Sequence, residues 1–215
     1  GRGVLTRGDH AKAAEVSSGD PLAYDPKVRL AAPGWVPNQL LNRLSIKAFN
    51  EVWYRKAPAS RHVGIESIPA FFHPLDGVRQ WNTLYGRQGF IQYQFIVPLD
   101  QVEVLRRVIE TFAGQGVASF LAVLKRMGEQ NRAPMSFPTE GWTLTLDMAA
   151  GIKGLPELLA RVDTMVLDAG GRHYLAKDSH VSPTAVRRGY PMLSSWQKTR
   201  AEMDPSGSWN SDLAR

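Results

Sequence analysis

Phe90-Ile-Gln-Tyr-Gln-Phe-Ile-Val97 is the stretch on which the reading of the fold turns. Its β-branched and aromatic residues favour a strand, and Pro98 closes it. Side chains alternate along a strand, so the two amides Gln92 and Gln94 share one face. Asp100 is placed to cap a following helix in which Leu105, Val108, Ile109 and Phe112 keep the i, i+3, i+4, i+7 spacing, and Gly114 and Gly116 end it. Residues 118–126 then read as a strand with Leu121, Val123 and Lys125 on one face. The same order recurs. Residues 142–148 alternate, with Thr143, Thr145 and Asp147 opposite Trp142, Leu144, Leu146 and Met148. Leu155, Leu158, Leu159, Val162, Met165 and Val166 form a helical stripe, and Gly170-Gly171 stops it before a short strand at 173–176. Strand, helix, strand, twice over, predicts an α+β fold: a ferredoxin-like split βαβ antiparallel sheet with helices on one face, the other face being left to bind something.

Upstream the texture is looser. Residues 18–37 are rich in Pro and Gly and show no period, which indicates a loop. A helical pattern runs from Asn38 to Lys56 with Leu41, Leu44, Ala48 and Val52 on one face, and a second irregular stretch follows from Ala57 to Asp76. Downstream of Asp178, Ser182-Pro183 opens a short helix and residues 192–203 form another. These have too little apolar surface for a core of their own, so a helical C-terminal tail that docks elsewhere is expected.

The chain has 215 residues, 26 Lys and Arg against 20 Asp and Glu, and no cysteine. Disulfides, thiolate nucleophiles and Cys-based metal sites are therefore excluded, and the apolar and charged fractions are those of a folded protein. No apolar run approaches the roughly 20 residues of a membrane span. His10, His62, His73, His173 and His180 show no metal-ligand spacing and read as structural or surface residues, so no metal is expected. No P-loop, G-x-G-x-x-G or G-x-S-x-G element occurs, which leaves no phosphate cradle and no hydrolase nucleophile. The basic residues are spread along the chain and fit a solvated surface better than a nucleic-acid face.

Candidate chemistry gathers on the inferred sheet. Gln92 and Gln94 on a buried face would need hydrogen-bond partners, which a polyhydroxylated ligand supplies and an exposed face makes unnecessary. Lys125 lies within an otherwise apolar strand, where a charge needs a neutralising partner unless the strand is an edge and the lysine snorkels. Lys177 follows a strand end, where side chains meet ligands; a loop lysine paired with Asp178 is the plain alternative.

Several motifs then converge: Phe-Phe-His-Pro-Leu-Asp (71–76), Trp81-Asn82 with Tyr85-Gly86, Gly89-Phe-Ile-Gln-Tyr-Gln-Phe (89–95), Ala-Pro-Met-Ser-Phe-Pro (133–138), Gly141-Trp142, Gly-Gly-Arg-His-Tyr-Leu-Ala-Lys-Asp-Ser (170–179) and Ser-Asp-Leu-Ala-Arg (211–215). In this order and spacing they resemble the decaprenylphosphoryl-β-D-ribose 2-oxidases, FAD-linked flavoproteins of the vanillyl-alcohol-oxidase type. The resemblance implies a substrate-binding domain at 1–172, with mobile loops at about 18–37 and 57–70, and a C-terminal segment at 173–215 that returns to an FAD-binding domain outside this chain. It thus reads the chain as a fragment, in keeping with a first residue that is not Met. The implied activity is oxidation of the ribose 2-hydroxyl of a polyprenyl-phosphate ribose to the 2-keto sugar. That is the first half of epimerisation to the arabinose donor for cell-wall arabinan, with an NAD(P)H-dependent keto-reductase as partner. Peripheral association with the inner membrane, on its cytoplasmic or envelope side, goes with a lipid substrate, and nucleic acid is not an expected partner.

Carried over by position, the resemblance makes Lys177 the catalytic lysine beside flavin and substrate, and Tyr174, Ala176 and Lys177 the cofactor-binding residues. Phe72, Leu75, Gln92, Gln94, Leu121, Val123, Lys125, Met127, Thr143 and Thr145 line the substrate pocket. Four of these depart from the usual residue: Phe72 stands for Tyr, Met127 for Phe, Thr143 for Asn, and Thr145 for the Cys of the best-known mycobacterial members. The loss of that Cys removes thiol capture by nitroaromatic inhibitors and leaves hydride transfer untouched. Two other functions remain open: a related flavin oxidase of an aldonolactone or sugar alcohol, and a non-enzymatic ferredoxin-like binding module.

Overall fold

In a computed structural model, which describes residues 3–16, 19–24, 26–37, 40–177 and 180–210, the chain divides into two compact units, Gly1–Gly89 and Phe90–Arg215. The start of the 18–37 loop, Asn38, Asp178, Ser179 and the 211–215 motif lie outside the described residues.

The second unit carries the sheet. Strand β3 (Phe90–Val97) leads into helix α3 (Val102–Gly114) and then into strand β4 (Ala122–Met127); strand β5 (Gly141–Ala149) leads into helix α4 (Leu155–Asp168) and then into strand β6 (Arg172–His173). The spatial order is β4-β5-β3-β6 with every pair antiparallel. Two strand–helix–strand units interleave in this way, and the fold is the α+β, ferredoxin-like arrangement expected from the sequence. Tyr93, Phe95 and Val97 of β3 and Leu144, Leu146 and Met148 of β5 meet Val104, Leu105, Val108 and Phe112 of α3 and Leu155, Leu158, Leu159, Val162 and Val166 of α4 in one buried cluster. Each such side chain contributes about 1.5–3 kcal/mol when fully buried, so the two helices are held to one face of the sheet.

Boundaries shift from those read in the sequence for local reasons. Helix α3 has Gln101, not Asp100, at its N-cap and no side-chain cap; its buried stripe takes Val104 in place of Ile109, which is exposed. Gly116, at φ 70, accomplishes the turn after α3, where its N–H donates to Ala113 O and that of Val117 to Phe112 O. Strand β4 starts at Ala122, one residue after Leu121. Strand β6 is only two residues long, because the chain turns after Tyr174, with the Lys177 N–H donating to Tyr174 O at 3.1 Å.

The tail divides. Helix α5 (Pro183–Gly189), capped by the Ser182 hydroxyl, buries Ala185 and Gly189, and the Tyr190 hydroxyl that follows donates to His173 O at 2.6 Å. This short helix thus docks on the sheet of its own unit, which corrects the expectation that the whole tail docks elsewhere. Helix α6 (Leu193–Met203) has no buried residue.

The first unit is built differently. Its regular pairing is a two-residue parallel ladder of strands β1 (Leu30–Ala31) and β2 (Val78–Arg79), so the 18–37 loop contains a short strand that its lack of period concealed. Ala32, Val36 and Tyr85 are its buried large or apolar residues among those described. Helix α1 spans Arg43–Lys56. The Asn42 side chain accepts from the N–H groups of Leu44 and Ser45, and Ser45 Oγ accepts from Asn42 N, a reciprocal cap that sets the start five residues later than the periodicity suggests. Among its apolar residues Leu44 is 78% exposed and Val52 68%. Helix α2 (Ile68–Phe72), capped by Ser67, occupies the end of the second irregular stretch.

Candidate functional site

The face of the sheet opposite α3 and α4 collects most of the residues singled out above. Register pairs Gln94 with Thr145 and Thr145 with Val123, and the Tyr174 N–H donates to Gln94 O at 2.9 Å. Val123, Thr145, Gln94 and Tyr174 therefore form one row across β4, β5 and β3 to the residue that follows β6. A second row runs Lys125, Thr143, Ile96 and Arg172, and a third pairs Gln92 with Asp147. Met127 ends β4 opposite Gly141, and Leu121 lies just before β4, its carbonyl accepting from Asp147 N at 3.0 Å. Phe72, 61% exposed on α2, and Leu75, half-buried in the Pro74–Gly77 turn, belong to the first unit.

This face is not an open polar surface, and here the expectation needs correcting. Gln94, Thr143, Thr145 and Asp147 are all buried. Gln92 Nε2 donates to Asp147 Oδ1 at 2.7 Å, and Gln94 Nε2 donates to Thr143 Oγ1 at 3.1 Å while that hydroxyl donates to Phe95 O at 2.8 Å. Part of the hydrogen-bonding demand that a ligand might have met is thus answered inside the sheet. A segment without regular structure, residues 128–140, covers the β6 side. Arg172 Nη1 donates to Ser136 O and Nη2 to Gln130 Oε1, both at 3.0 Å, and the Phe137 ring stacks on Tyr174 with centroids 4.6 Å apart. Burial lowers the Arg172 pKa, and burial pushes that of Tyr190, whose ring lies 5.7 Å from the guanidinium carbon, up to about 12.

Lys125 is exposed on the edge strand β4, so the desolvation cost inferred for a charge in that strand does not arise. Lys177 is half-buried, with Nζ 5.9 Å from the centroid of the Tyr174 ring, and Ala176 is exposed beside it. An ammonium over an aromatic face, at the end of a row of amide and hydroxyl side chains, can both hold an anionic oxygen and orient a sugar hydroxyl.

Beneath β6 lies a network the sequence reading passed over. His173, 2% exposed, is buried as the structural reading of the histidines allows; its Nε2 is 3.0 Å from Asp163 Oδ1 of α4 and 2.9 Å from the Tyr93 hydroxyl of β3, which itself donates to Asp163 at 2.6 Å. Burial first, and then the Asp163 carboxylate, hold the Tyr93 pKa well above its usual value. Three elements are thereby tied together one residue before Tyr174. Asp163 sits within the apolar stripe of α4, and a carboxylate there was the available signal. Asp147 was also legible, as a polar position in phase with Thr143 and Thr145; Arg172 was not, because the sequence pattern starts that strand at His173.

The groove between α3 and α4, about 220 Å³ and lined by Gln101, Val104, Arg107, Thr164 and Met165 among others, belongs to the helical layer and not to this face. Among the described residues no group of three His, Asp or Glu is placed to hold a metal, and no helix is long and apolar enough to cross a membrane.

No family model matches the chain. Over its whole length, however, it is 38% identical, across 218 residues, to the decaprenylphosphoryl-β-D-ribose oxidase of Mycolicibacterium smegmatis (strain ATCC 700084 / mc(2)155). The chain matches part of such an oxidase. It spans 47% of that protein and 60% of a second relative, 33% identical over 225 residues, described as an uncharacterized protein in the mprA 5' region of Streptomyces coelicolor. The resemblance to decaprenylphosphoryl-β-D-ribose oxidase drawn from short motifs therefore extends to the full chain.

A flavin, implied by that resemblance, suits part of the site. The Tyr174 ring offers an aromatic surface and Lys177 a cation for an electron-rich ring edge. Nothing in the sequence offers a glycine-rich pyrophosphate cradle, so these residues fit one wall of a cofactor site and not the whole of it.

Proposed function

We propose that this chain supplies the substrate-side wall of an FAD-dependent oxidase that converts the ribose 2-hydroxyl of a polyprenyl-phosphate ribose to the 2-keto sugar, the first half of epimerisation to the arabinose donor of cell-wall arabinan. In this reading residues 1–172 form the substrate-binding part, and 173–215 leads back to an FAD-binding domain. An NAD(P)H-dependent reductase completes the epimerisation, and the enzyme works peripherally at the inner membrane. The observation that carries the proposal is the row of Val123, Thr145, Gln94 and Tyr174 with Lys177 at its end, in a chain similar throughout to half of a named ribose oxidase.

Bound flavin supplies the hydride acceptor. The chain's own residues orient and exclude. Lys177 holds the sugar hydroxyl in line and stabilises negative charge on the cofactor side of the site. Gln92 and Gln94, their amide nitrogens fixed on Asp147 and Thr143, present fixed dipoles to the sugar. Lys125, at the exposed edge, meets the phosphate, and Val123, Leu121 and Met127 offer apolar surface to the first prenyl units. With Thr143 and Thr145 each bearing a hydroxyl, the pocket keeps short hydrogen-bonding groups beside the amides.

The test is flavin reduction under anaerobic conditions, in the chain joined to its native upstream sequence, by polyprenylphosphoryl ribose and by ribose 5-phosphate. Reduction by the prenylated sugar, at least 100-fold faster than by the free sugar phosphate, is expected. Equal rates would instead favour an oxidase of free sugars or aldonolactones.

A further inference from the structure

Charge and apolar exposure coincide in the first unit in a way the oxidase reading does not use. Residues 1–89 hold twelve Lys and Arg against seven Asp and Glu, so nearly all of the chain's net charge of +6 is concentrated there. Most of the large apolar side chains left exposed also lie there. The two meet on α1. At 100° per residue, Leu44, Ala48 and Val52 fall on one broad side with Phe49 and Trp53, joined in the last turn by Arg55 and Lys56, while Arg43, Lys47 and Asn50 share the other. No residue of the helix is buried, and Trp53 is 56% exposed. The Phe49 and Trp53 rings stack with centroids 6.0 Å apart, and Lys56 Nζ lies 5.7 Å from the Trp53 centroid. The helix carries Arg43, Lys47, Arg55 and Lys56 with one acid, Glu51, which Arg55 engages at 2.7 Å.

We propose that α1 is an interfacial helix that lies flat on an anionic lipid surface, with Leu44, Phe49, Val52 and Trp53 in the acyl boundary and its cations at the headgroups. Charge complementarity selects the occupant. An apolar side carrying Trp and Phe, with long-stemmed Arg55 and Lys56 that can snorkel from its last turn, Arg43 and Lys47 on the polar side and a single acid, is compatible with helices that bind the bilayer interface, where aromatic rings sit at headgroup level. Fourteen residues rise about 21 Å, too short to span and long enough to lie flat. The cation over Trp53 is placed to reach a phosphate while its stem follows the ring. A bilayer beside the enzyme follows from the prenyl-lipid substrate of the proposed function, and the inference rests on that reading for this point alone.

The probe is vesicle co-sedimentation of the chain joined to its native upstream sequence. The vesicles are one part phosphatidylglycerol to two parts phosphatidylcholine, or phosphatidylcholine alone. Salt-sensitive binding to the anionic vesicles is expected. Lys47→Gln and Lys56→Gln should each weaken it about fivefold, and Trp53→Ser by about tenfold, with unchanged circular dichroism because all three side chains are exposed. Brominated lipid should quench a fluorescence component that disappears in Trp53→Phe. Absence of binding by the unsubstituted protein, as when another segment or a partner protein covers α1, overturns the proposal, as does equal binding by all variants. Vesicle binding and flavin reduction are read separately, so loss of either leaves the other inference standing.

Discussion

The two units of this chain are made from similar shares of apolar residues and use them in opposite ways. From Phe90 onward they close on themselves: Phe95, Val108, Met148, Leu159, Val162 and Val166 are fully buried between one sheet and two helices. Before Gly89, helix α1 buries none of its residues, and among the described residues the sheet is a two-residue ladder. An amphipathic period therefore says that a face will be covered, and not by what. In α3 and α4 the cover is the adjoining sheet; in α1 no residue is buried.

Substitutions should reproduce this contrast in stability. Phe95→Ala removes a fully buried ring and is expected to cost about 3–5 kcal/mol in denaturant unfolding. Trp53→Ala, on a ring of similar size in α1, should change stability by less than about 0.5 kcal/mol. A loss above 2 kcal/mol for Trp53→Ala would break the comparison. Gly171→Ala should cost about 3 kcal/mol, because a Cβ there would meet Ile96 O and the Val166 carbonyl, both backbone atoms that cannot turn aside. Tyr93→Phe leaves Asp163 and His173 in place but deletes the buried 2.6 Å hydrogen bond, for an expected loss of about 1–3 kcal/mol. If β6 is positioned by this network, amide exchange at Tyr174 should accelerate more than at Val108.

The smallest effect concerns the exposed turn after α6. The backbone N–H groups of Trp209 and Ser208 lower the Asp204 pKa by favouring its ionised form. A depressed carboxyl pKa stabilises the turn fully above the unfolded value, about pH 4, and the stabilisation is lost as pH falls through the folded value. The Ser208 and Trp209 amide resonances should therefore move on acidification below about pH 4, and Asp204→Asn should abolish that titration. An unchanged titration in Asp204→Asn would remove the carboxylate from the turn.

What was legible in the sequence follows from how each element is stabilised. The Phe90–Val97 strand, the stripes of α3 and α4 and the alternation of Trp142 to Met148 are set by burial against neighbours in the same unit, so their periods point directly at the fold. The rows of the polar face followed from the same alternation, which is why Gln92, Gln94, Lys125, Thr143 and Thr145 emerged together. What escaped was aperiodic. Segment 128–140 shows no pattern, yet through Ser136 and Phe137 it covers the face that looked open. The exposure of Lys125 depends on β4 being an edge, which strand composition does not encode. The start of α1 depends on a reciprocal cap at Asn42 and Ser45 rather than on the apolar repeat.

The central claim is that Lys177, with Tyr174 at the end of the Gln94 row, faces both flavin and sugar. It is tested most directly by single-turnover flavin reduction with polyprenylphosphoryl ribose in Lys177→Met, which keeps the stem and removes the charge, beside Lys125→Met at the opposite edge of the sheet. Loss of about 100-fold or more in the reduction rate at saturating substrate is expected for Lys177→Met, and a rise in the half-saturating concentration with little change in rate for Lys125→Met. An unaltered reduction rate in Lys177→Met would contradict the claim.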